Sequence, residues 1–305
     1  MSLIDVIEVG PRDGLQNQDA ILSTADKLTF IRKLIAAGAQ RMEVASFVNP
    51  ARVPQMADAE GVIAGLTEAE RKSFIGLVLN ERGVERAIAS GIGEAGVVAV
   101  ASDTFGIRNQ KQTSRQSVEM AKSVLRMARE GGCRAQTTIA TAFGCPFEGE
   151  IDPDHVVWMA VEIAKENPLE IALADTIGVG VPAQVKHLAT RLKVELPHIP
   201  LRFHFHNTRN TGLANAYAAV ESGVTRLDAS AGGIGGCPFA PAATGNIATE
   251  DLVYMLERSG YRTSYDLAKL SALAPWLAEK LGLAQLPAMV SRASAFPPAA
   301  ASSAA

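Results

Sequence analysis

Eight short segments rich in β-branched residues recur along this chain, near residues 3–9, 41–46, 73–79, 95–101, 134–140, 169–174, 201–206 and 226–230. Polar or glycine-rich residues follow each of them. In the intervals apolar residues fall at helical spacing, as with Leu28, Ile31, Leu34 and Ile35 in the first and Val118, Ala121, Val124 and Leu125 in the fourth. Alternating strand and helix calls for a parallel sheet, because each crossover helix packs back on the sheet. Eight such units in 305 residues favour closure into a ring over an open sheet, since one α/β barrel needs about 250 residues. The expected fold is α/β, a single-domain (β/α)8 TIM barrel over 1–285 whose last helices run through Leu252 to Leu256 and Leu267 to Leu281. A tail over 286–305 follows. From Phe296 it is made of Pro, Ala and Ser and has too little apolar surface to order itself.

Charge and cysteine content exclude several classes of partner. The net charge of -3 gives no global positive field for nucleic acid, so an anionic substrate has to meet locally placed Arg or Lys. Cys133, Cys145 and Cys237 are odd in number and widely spaced, which fits a reducing compartment better than a disulfide framework or a zinc cluster. The N-terminus runs directly into a strand-like segment and no apolar run is long enough to span a bilayer. A cytoplasmic protein without membrane contact is expected.

Candidate chemistry collects after the strands, at the end of a barrel where active sites are built. The first strand ends in Gly10-Pro11-Arg12-Asp13-Gly14-Leu15-Gln16-Asn17, which puts Arg12, Asp13 and Gln16 on one turn; Pro11 and Gly14 also suit a plain turn capped by Asp13. His204 and His206 on the seventh strand are two apart, so both imidazoles project from one face. Neutral imidazoles at that spacing fit part of a divalent-metal shell, and equally a pair of core histidines bonded to carbonyls. Beyond strand eight, Ala231-Gly232-Gly233-Ile234-Gly235-Gly236-Cys237-Pro238 is a glycine-dense loop able to close over a ligand or simply to move. Glu43 and Ser46 end strand two, and Asp175 with Thr176 follows strand six. Arg108, Lys111 and Arg115 form either a solvated face or a site for the phosphates of an acyl carrier.

Taken together and in order, these stretches resemble the 3-hydroxy-3-methylglutaryl-CoA lyase family of TIM-barrel metallolyases over nearly the whole chain to about residue 270. The matching stretches are Val9 to Asn17, Ser46-Phe47-Val48-Asn49-Pro50, Gly144-Cys145-Pro146-Phe147-Glu148-Gly149, Asp175 to Gly180, His204-Phe205-His206, Gly235-Gly236-Cys237-Pro238, and Gly245-Asn246 leading into Ala248 to Leu256. The resemblance implies a lyase-like catalytic domain over 1–285 and a divalent metal, Mg2+ or Mn2+, held by Asp13, His204, His206 and Asn246. It implies cleavage of the C2–C3 bond of a 3-hydroxyacyl-CoA to acetyl-CoA and a keto acid, acetoacetate when the substrate is 3-hydroxy-3-methylglutaryl-CoA. Arg12 then stabilises charge on the thioester oxygen, Cys237 serves as the mobile acid, and Glu43 and Asp175 orient Arg12 or relay the hydroxyl proton. Gln16, Ser46, Arg108 and Lys111 are the expected substrate contacts, and the chain is expected to be a homodimer.

One departure bears on the substrate. After the histidines the chain reads Asn207-Thr208-Arg209-Asn210-Thr211-Gly212, where familiar members of the family carry an acidic residue first. The metal set is untouched, but citramalyl-CoA or a longer 3-hydroxy-3-alkyl diacid thioester becomes a competing substrate. A condensing acyltransferase on the same scaffold and a metal-binding barrel without catalysis are the remaining readings; the short tail, with no room for an accessory domain, favours the lyase over the synthase.

Overall fold

The structure, a computed structural model, describes residues 2–236, 245–293 and 296. Eight parallel strands form one sheet: β1 (Asp5–Glu8), β2 (Glu43–Ser46), β3 (Ile75–Val78), β4 (Glu94–Val100), β5 (Arg134–Ala140), β6 (Ile171–Asp175), β7 (Leu201–Phe205) and β8 (Arg226–Ala229). The spatial order is β1-β8-β7-β6-β5-β4-β3-β2. A bridge between Glu8 and Met42, with the Glu8 N–H donating to the Arg41 carbonyl at 3.1 Å, joins β1 to β2 and completes the ring. The eight expected segments each overlap a strand, so the barrel expected from alternation is the barrel observed.

Both faces of the strands are covered, the outer one by helices and the inner one by the opposite wall, which is why β2, β3, β6 and β7 are buried at every position. The helix Ser114–Glu130 shows how the outer layer is specified. Thr113 accepts from the Gln116 N–H while the Gln116 side chain accepts from the Thr113 N–H, satisfying two orphan donors. Val118, Ala121, Val124 and Leu125 then form its buried stripe, as their spacing anticipates. Among the described residues, no helix is long and apolar enough to cross a membrane.

The packed chain continues beyond residue 285. Leu286 and Ala288 are buried, the Ala288 N–H donates to the Gly232 carbonyl at 3.0 Å, and the Asp251 carboxylate accepts from the N–H groups of Met289 and Val290. No apolar period in the sequence marks these residues; a single 3-10 turn, Val290–Arg292, and individual side-chain and backbone contacts hold them. The run from Pro297 lies outside the described residues.

The lower, N-terminal end of the barrel is filled by charge. Glu170 accepts from Arg41 at 2.8 and 2.9 Å and from Arg226 at 2.8 Å, and Arg41 also pairs with Glu94. Arg202, 1% exposed, faces Glu170 at 3.2 Å and Asp228 at 3.4 Å as ion pairs and donates to Thr138 Oγ1 at 3.3 Å. Burial pushes the Glu170 carboxyl up, but Arg202, Arg41 and Arg226 outweigh it and hold it at about 2. Its folded value lies below the ordinary 4.5, so its stabilisation is complete above pH 4.5 and is lost as the pH falls towards 2. Glu170→Ala strands buried guanidinium groups and is expected to cost about 3–5 kcal/mol in urea unfolding at neutral pH, with a shallower loss of stability on acidification. An unchanged urea midpoint would show that the network does not hold the barrel base.

Candidate metal centre and reaction cavity

At the upper rim, closure of the ring makes neighbours of residues far apart in sequence. After β1, Gly10–Gly14 winds into a single π-type turn, closed by the Gly14 N–H donating to the Val9 carbonyl at 3.1 Å. That turn carries Arg12 and Asp13 over the mouth of the barrel. His204 and His206, on and just after β7, bring their rings to 5.1 Å between centroids. Asn246 is delivered by a short return segment: it bridges to His206, while the Ile247 N–H donates to the Phe205 carbonyl at 3.1 Å. Gly235 and Gly245 flank the intervening loop and approach so closely that a Cβ on Gly245 would lie 2.4 Å from the Gly235 carbonyl oxygen; both have positive φ.

One potential ligand atom from each of Asp13, His204 and His206 lies within 4.8 Å of the others. The Asn246 Nδ2 donates to Asp13 Oδ2 at 2.8 Å, which leaves Asn246 Oδ1 buried without a partner; His206 Nδ1 is equally orphaned. Unpaired buried acceptors around mixed nitrogen and oxygen ligands are what a hard to borderline divalent cation would satisfy, so the four residues fit the metal expected from sequence. Asp228 Oδ2 sits 3.2 Å from His204 Nδ1, fixing the ring and leaving Nε2 for the metal side.

Charge is balanced tightly here. Arg12 Nη1 donates to Asp13 at 2.6 Å and Nη2 to Glu43 at 3.0 Å, with Nε 2.9 Å from Glu43 as an ion pair. Burial disfavours both charges, yet Arg12 and the two imidazoles hold the Asp13 carboxyl well below the usual carboxylate range, and Glu43 with Asp13 holds Arg12 firmly protonated. Burial, with His204 alongside, pushes the His206 imidazole down to about 3, so it is neutral and available as a ligand.

The remaining sequence candidates divide. Arg12, Asp13, Gln16, Glu43, Thr176, His204 and His206 line one cavity of about 200 Å3. Asp175 does not: its two carboxylate oxygens accept from the N–H groups of Val179 and Gly180 at 2.8 and 2.9 Å, and burial pushes its carboxyl up. Ser46 is buried with its hydroxyl unpartnered and lies outside that cavity. Arg108 stacks on Phe147 at 4.1 Å, and Lys111 lines a separate depression beside Arg115 and Glu119. Cys237 lies outside the described residues; Gly236, just before it, lines the cavity. Asn207 also stays out of the cavity. Its side chain accepts from the Gly212 N–H at 3.1 Å, while Arg209 donates to the carbonyls of Ile177 and Gly178, so the departure noted in the sequence braces the β7 loop against the β6 loop.

Sequence reasoning missed Asp228 and Gln136, which line the cavity, and a pair of carboxylates beneath the rim. Glu8 accepts from the N–H groups of Gly10 and Ala231 at 2.7 and 2.9 Å and from the Thr249 hydroxyl at 2.8 Å; Glu250 accepts from the Gly232 N–H. They tie the turn that carries Asp13 to the base of the glycine loop. A charged residue beside the apolar positions of a short barrel strand, as at Glu8 after Val6-Ile7 and Asp228 between Leu227 and Ala229, is the signal that could have found them.

Burial pushes Glu8 up to about 7 and Glu250 up to about 8. Folded values above the ordinary 4.5 mean that the stabilisation from these groups is complete below pH 4.5 and is lost as the pH rises through 7 to 8. Glu8→Gln, which keeps the acceptor for Gly10 and Ala231, is expected to flatten the thermal-melting profile over that range; an unaltered profile would place the pH dependence elsewhere. Asp228→Asn is expected to weaken Mn2+ binding roughly 10–100-fold in a calorimetric titration, and equal affinity would deny Asp228 its hold on His204.

Comparison with known proteins agrees with this geometry. The HMGL-like family pattern matches residues 3–276. An (R)-citramalyl-CoA lyase of Chloroflexus aurantiacus is 41% identical over 96% of this chain and 95% of its own, and a hydroxymethylglutaryl-CoA lyase of Bacillus subtilis is 39% identical over 92% and 93%. The crystal structure of a Bacillus subtilis HMG-CoA lyase superposes with a TM-score of 0.91 at 38% identity, covering 96% of this chain and 98% of that one. An Acinetobacter baumannii HMG-CoA lyase in complex with coenzyme A and 3-methylmalate gives 0.90 at 39% identity, covering 97% and 96%. The chain belongs to the HMGL-like family of enzymes, whose relatives named here are carbon-carbon lyases.

Proposed function

We propose that the protein cleaves a 3-hydroxy-3-methylglutaryl-CoA-like thioester to acetyl-CoA and a keto acid, using a divalent cation at Asp13, His204, His206 and Asn246. The observation that carries this reading is the convergence of Asp13, His204 and His206 on the cavity that also holds Arg12, with Asn246 hydrogen-bonded to Asp13 and ligand atoms of Asn246 and His206 orphaned. A bound Mg2+ or Mn2+ would supply Lewis acidity towards the substrate's oxygens. The chain's own residues do the rest. Glu43 locks the Arg12 guanidinium towards the cavity, where it stabilises negative charge developing on the thioester oxygen. The substrate hydroxyl gives up its proton to Glu43, the other expected proton-relay carboxylate and the one that lines the cavity, as the C2–C3 bond breaks and C3 becomes a carbonyl. The released electron pair resides on the acetyl-CoA enolate, and Cys237 protonates C2.

A groove of about 1140 Å3 continues from the cavity, shares Arg12, Gln16 and Asn17 with it, and runs outward past Phe47, Arg52 and Arg82. Its size and exposed cations suit the carrier part of an acyl-CoA, and the coenzyme A complex of the Acinetobacter relative supports that reading.

The test is release of acetyl-CoA by purified protein with Mg2+ or Mn2+, comparing 3-hydroxy-3-methylglutaryl-CoA with citramalyl-CoA. Metal-dependent cleavage abolished by a chelator is expected, with Arg12→Lys lowering kcat about 10²–10³-fold at nearly constant KM. Turnover that survives complete chelation, or an Arg12→Lys enzyme of parental kcat, would refute the scheme.

A further inference from the structure

Across the barrel from Asp13, one wall of the cavity takes no part in the scheme above. In an eight-stranded ring β5 stands opposite β1, and Gln136, Thr138 and Ala140 of β5 line the cavity beside Gly96 and Val98 of β4 and Ala174 of β6. Thr138 is already engaged, accepting from Arg202 at 3.3 Å. Gln136 is not. It is 1% exposed, it lines the cavity, and its Oε1 has no hydrogen-bond partner. Room for its carboxamide comes from the strand alongside, where register pairs Gln136 with Gly96 and a Cβ on that glycine would stand 2.8 Å from Gln136 Nε2. An amide buried this far with unused hydrogen-bonding capacity is costly unless something in the cavity meets it.

Charge narrows what that can be. Among the described residues lining the cavity, Arg12 is the only permanent cation, and Asp13 and Glu43 already hold it. The wall around Gln136 therefore offers a neutral amide and small groups, and Arg202 behind Thr138 is already paired with Glu170 and Asp228, so no free counter-ion meets a carboxylate pushed against it. A carboxylate borne directly on the carbinol carbon escapes that penalty, because it and the adjacent hydroxyl can lie together on the opposite side of the cavity, where Asp13, His204 and His206 would hold the divalent cation. A carboxylate one methylene farther out extends farther from that hydroxyl and towards the Gln136 wall.

We propose that Gln136 is a specificity-determining residue, whose amide hydrogen-bonds an oxygen of the acyl group and selects a compact 3-hydroxyacyl-CoA with its carboxylate on the carbinol carbon. The proposal rests on the lyase reading and deepens it. It also moves the choice of acyl group from the loop after β7, to which the sequence had pointed, to the middle of β5.

The experiment compares kcat/KM for citramalyl-CoA and 3-hydroxy-3-methylglutaryl-CoA in the parent, the near-isosteric Gln136→Leu and Gln136→Arg, with thermal melts to confirm folding. Alongside it, calorimetry follows binding of citramalate and 3-hydroxy-3-methylglutarate to the Mn2+-loaded parent and Gln136→Leu proteins. The parent is expected to favour citramalyl-CoA at least tenfold. Gln136→Leu should lower that kcat/KM about 10–100-fold, chiefly through KM, and Gln136→Arg should swing the ratio at least tenfold towards 3-hydroxy-3-methylglutaryl-CoA. A parent that prefers 3-hydroxy-3-methylglutaryl-CoA, or a substrate ratio that Gln136→Leu leaves unchanged, overturns the proposal. If the parent cleaves neither thioester, the lyase reading falls and calorimetry still decides the pocket: citramalate preference lost in Gln136→Leu upholds it, and no preference overturns it.

Discussion

Closure of β1 onto β8 on one side and onto Met42 on the other is the constraint from which the site follows. In an open sheet of the same strands, β1 and β8 would stand at opposite edges or in unrelated positions, and Asp13 would be far from His204. Parallel pairing from Asp5–Arg226 through Glu8–Ala229 instead sets the turn after β1 against the turn after β8. The bridge from His206 to Asn246 then brings Asn246 to the same corner. Nothing at the rim needs long side chains to reach; the strands deliver it.

Two layers of buried charge serve that closure differently. At the base, Arg41, Arg202 and Arg226 converge on Glu170 and stitch β6, β7 and β8 to the segment entering β2. Beneath the rim, Glu8 has no arginine partner and accepts instead from backbone N–H groups on both sides of the β1–β8 seam. Ion pairs resist acid loss by holding carboxyls down, whereas a carboxylate satisfied only by neutral donors in a dry interior is pushed up. Asp228 connects the layers, with one oxygen towards Arg202 and the other on His204. The candidate metal centre thus stands on the charge network below it, through Asp228.

Much of this was legible in the chain itself. Period-two strands and period-3.6 helices give the barrel its alternation, and the pairing of His204 with His206 follows from two-residue spacing on one strand. Arg12 and Asp13 were visible because they end a strand, and Glu43 for the same reason. Arg108 and Lys111 were misleading as a pair: adjacent basic residues look alike in sequence, but one stacks on Phe147 and the other turns to a different face. Asp175 looked like a cavity carboxylate and is held by the turn it begins.

The sequence by itself determined the fold class, the strand count and three of the four expected metal ligands as members of rim segments, because these depend on local periodicity and on position within a strand. Only the tertiary structure decided which of those residues share a cavity, that Asn207 braces a loop and Gln136 faces the cavity, and that residues past 285 belong to the packed barrel. The reason is physical: period two assigns a side chain to a face, but depth along the barrel axis, the gap left by Gly96 opposite Gln136, and the closeness of β1 to β8 arise from pairing between strands that local sequence does not encode.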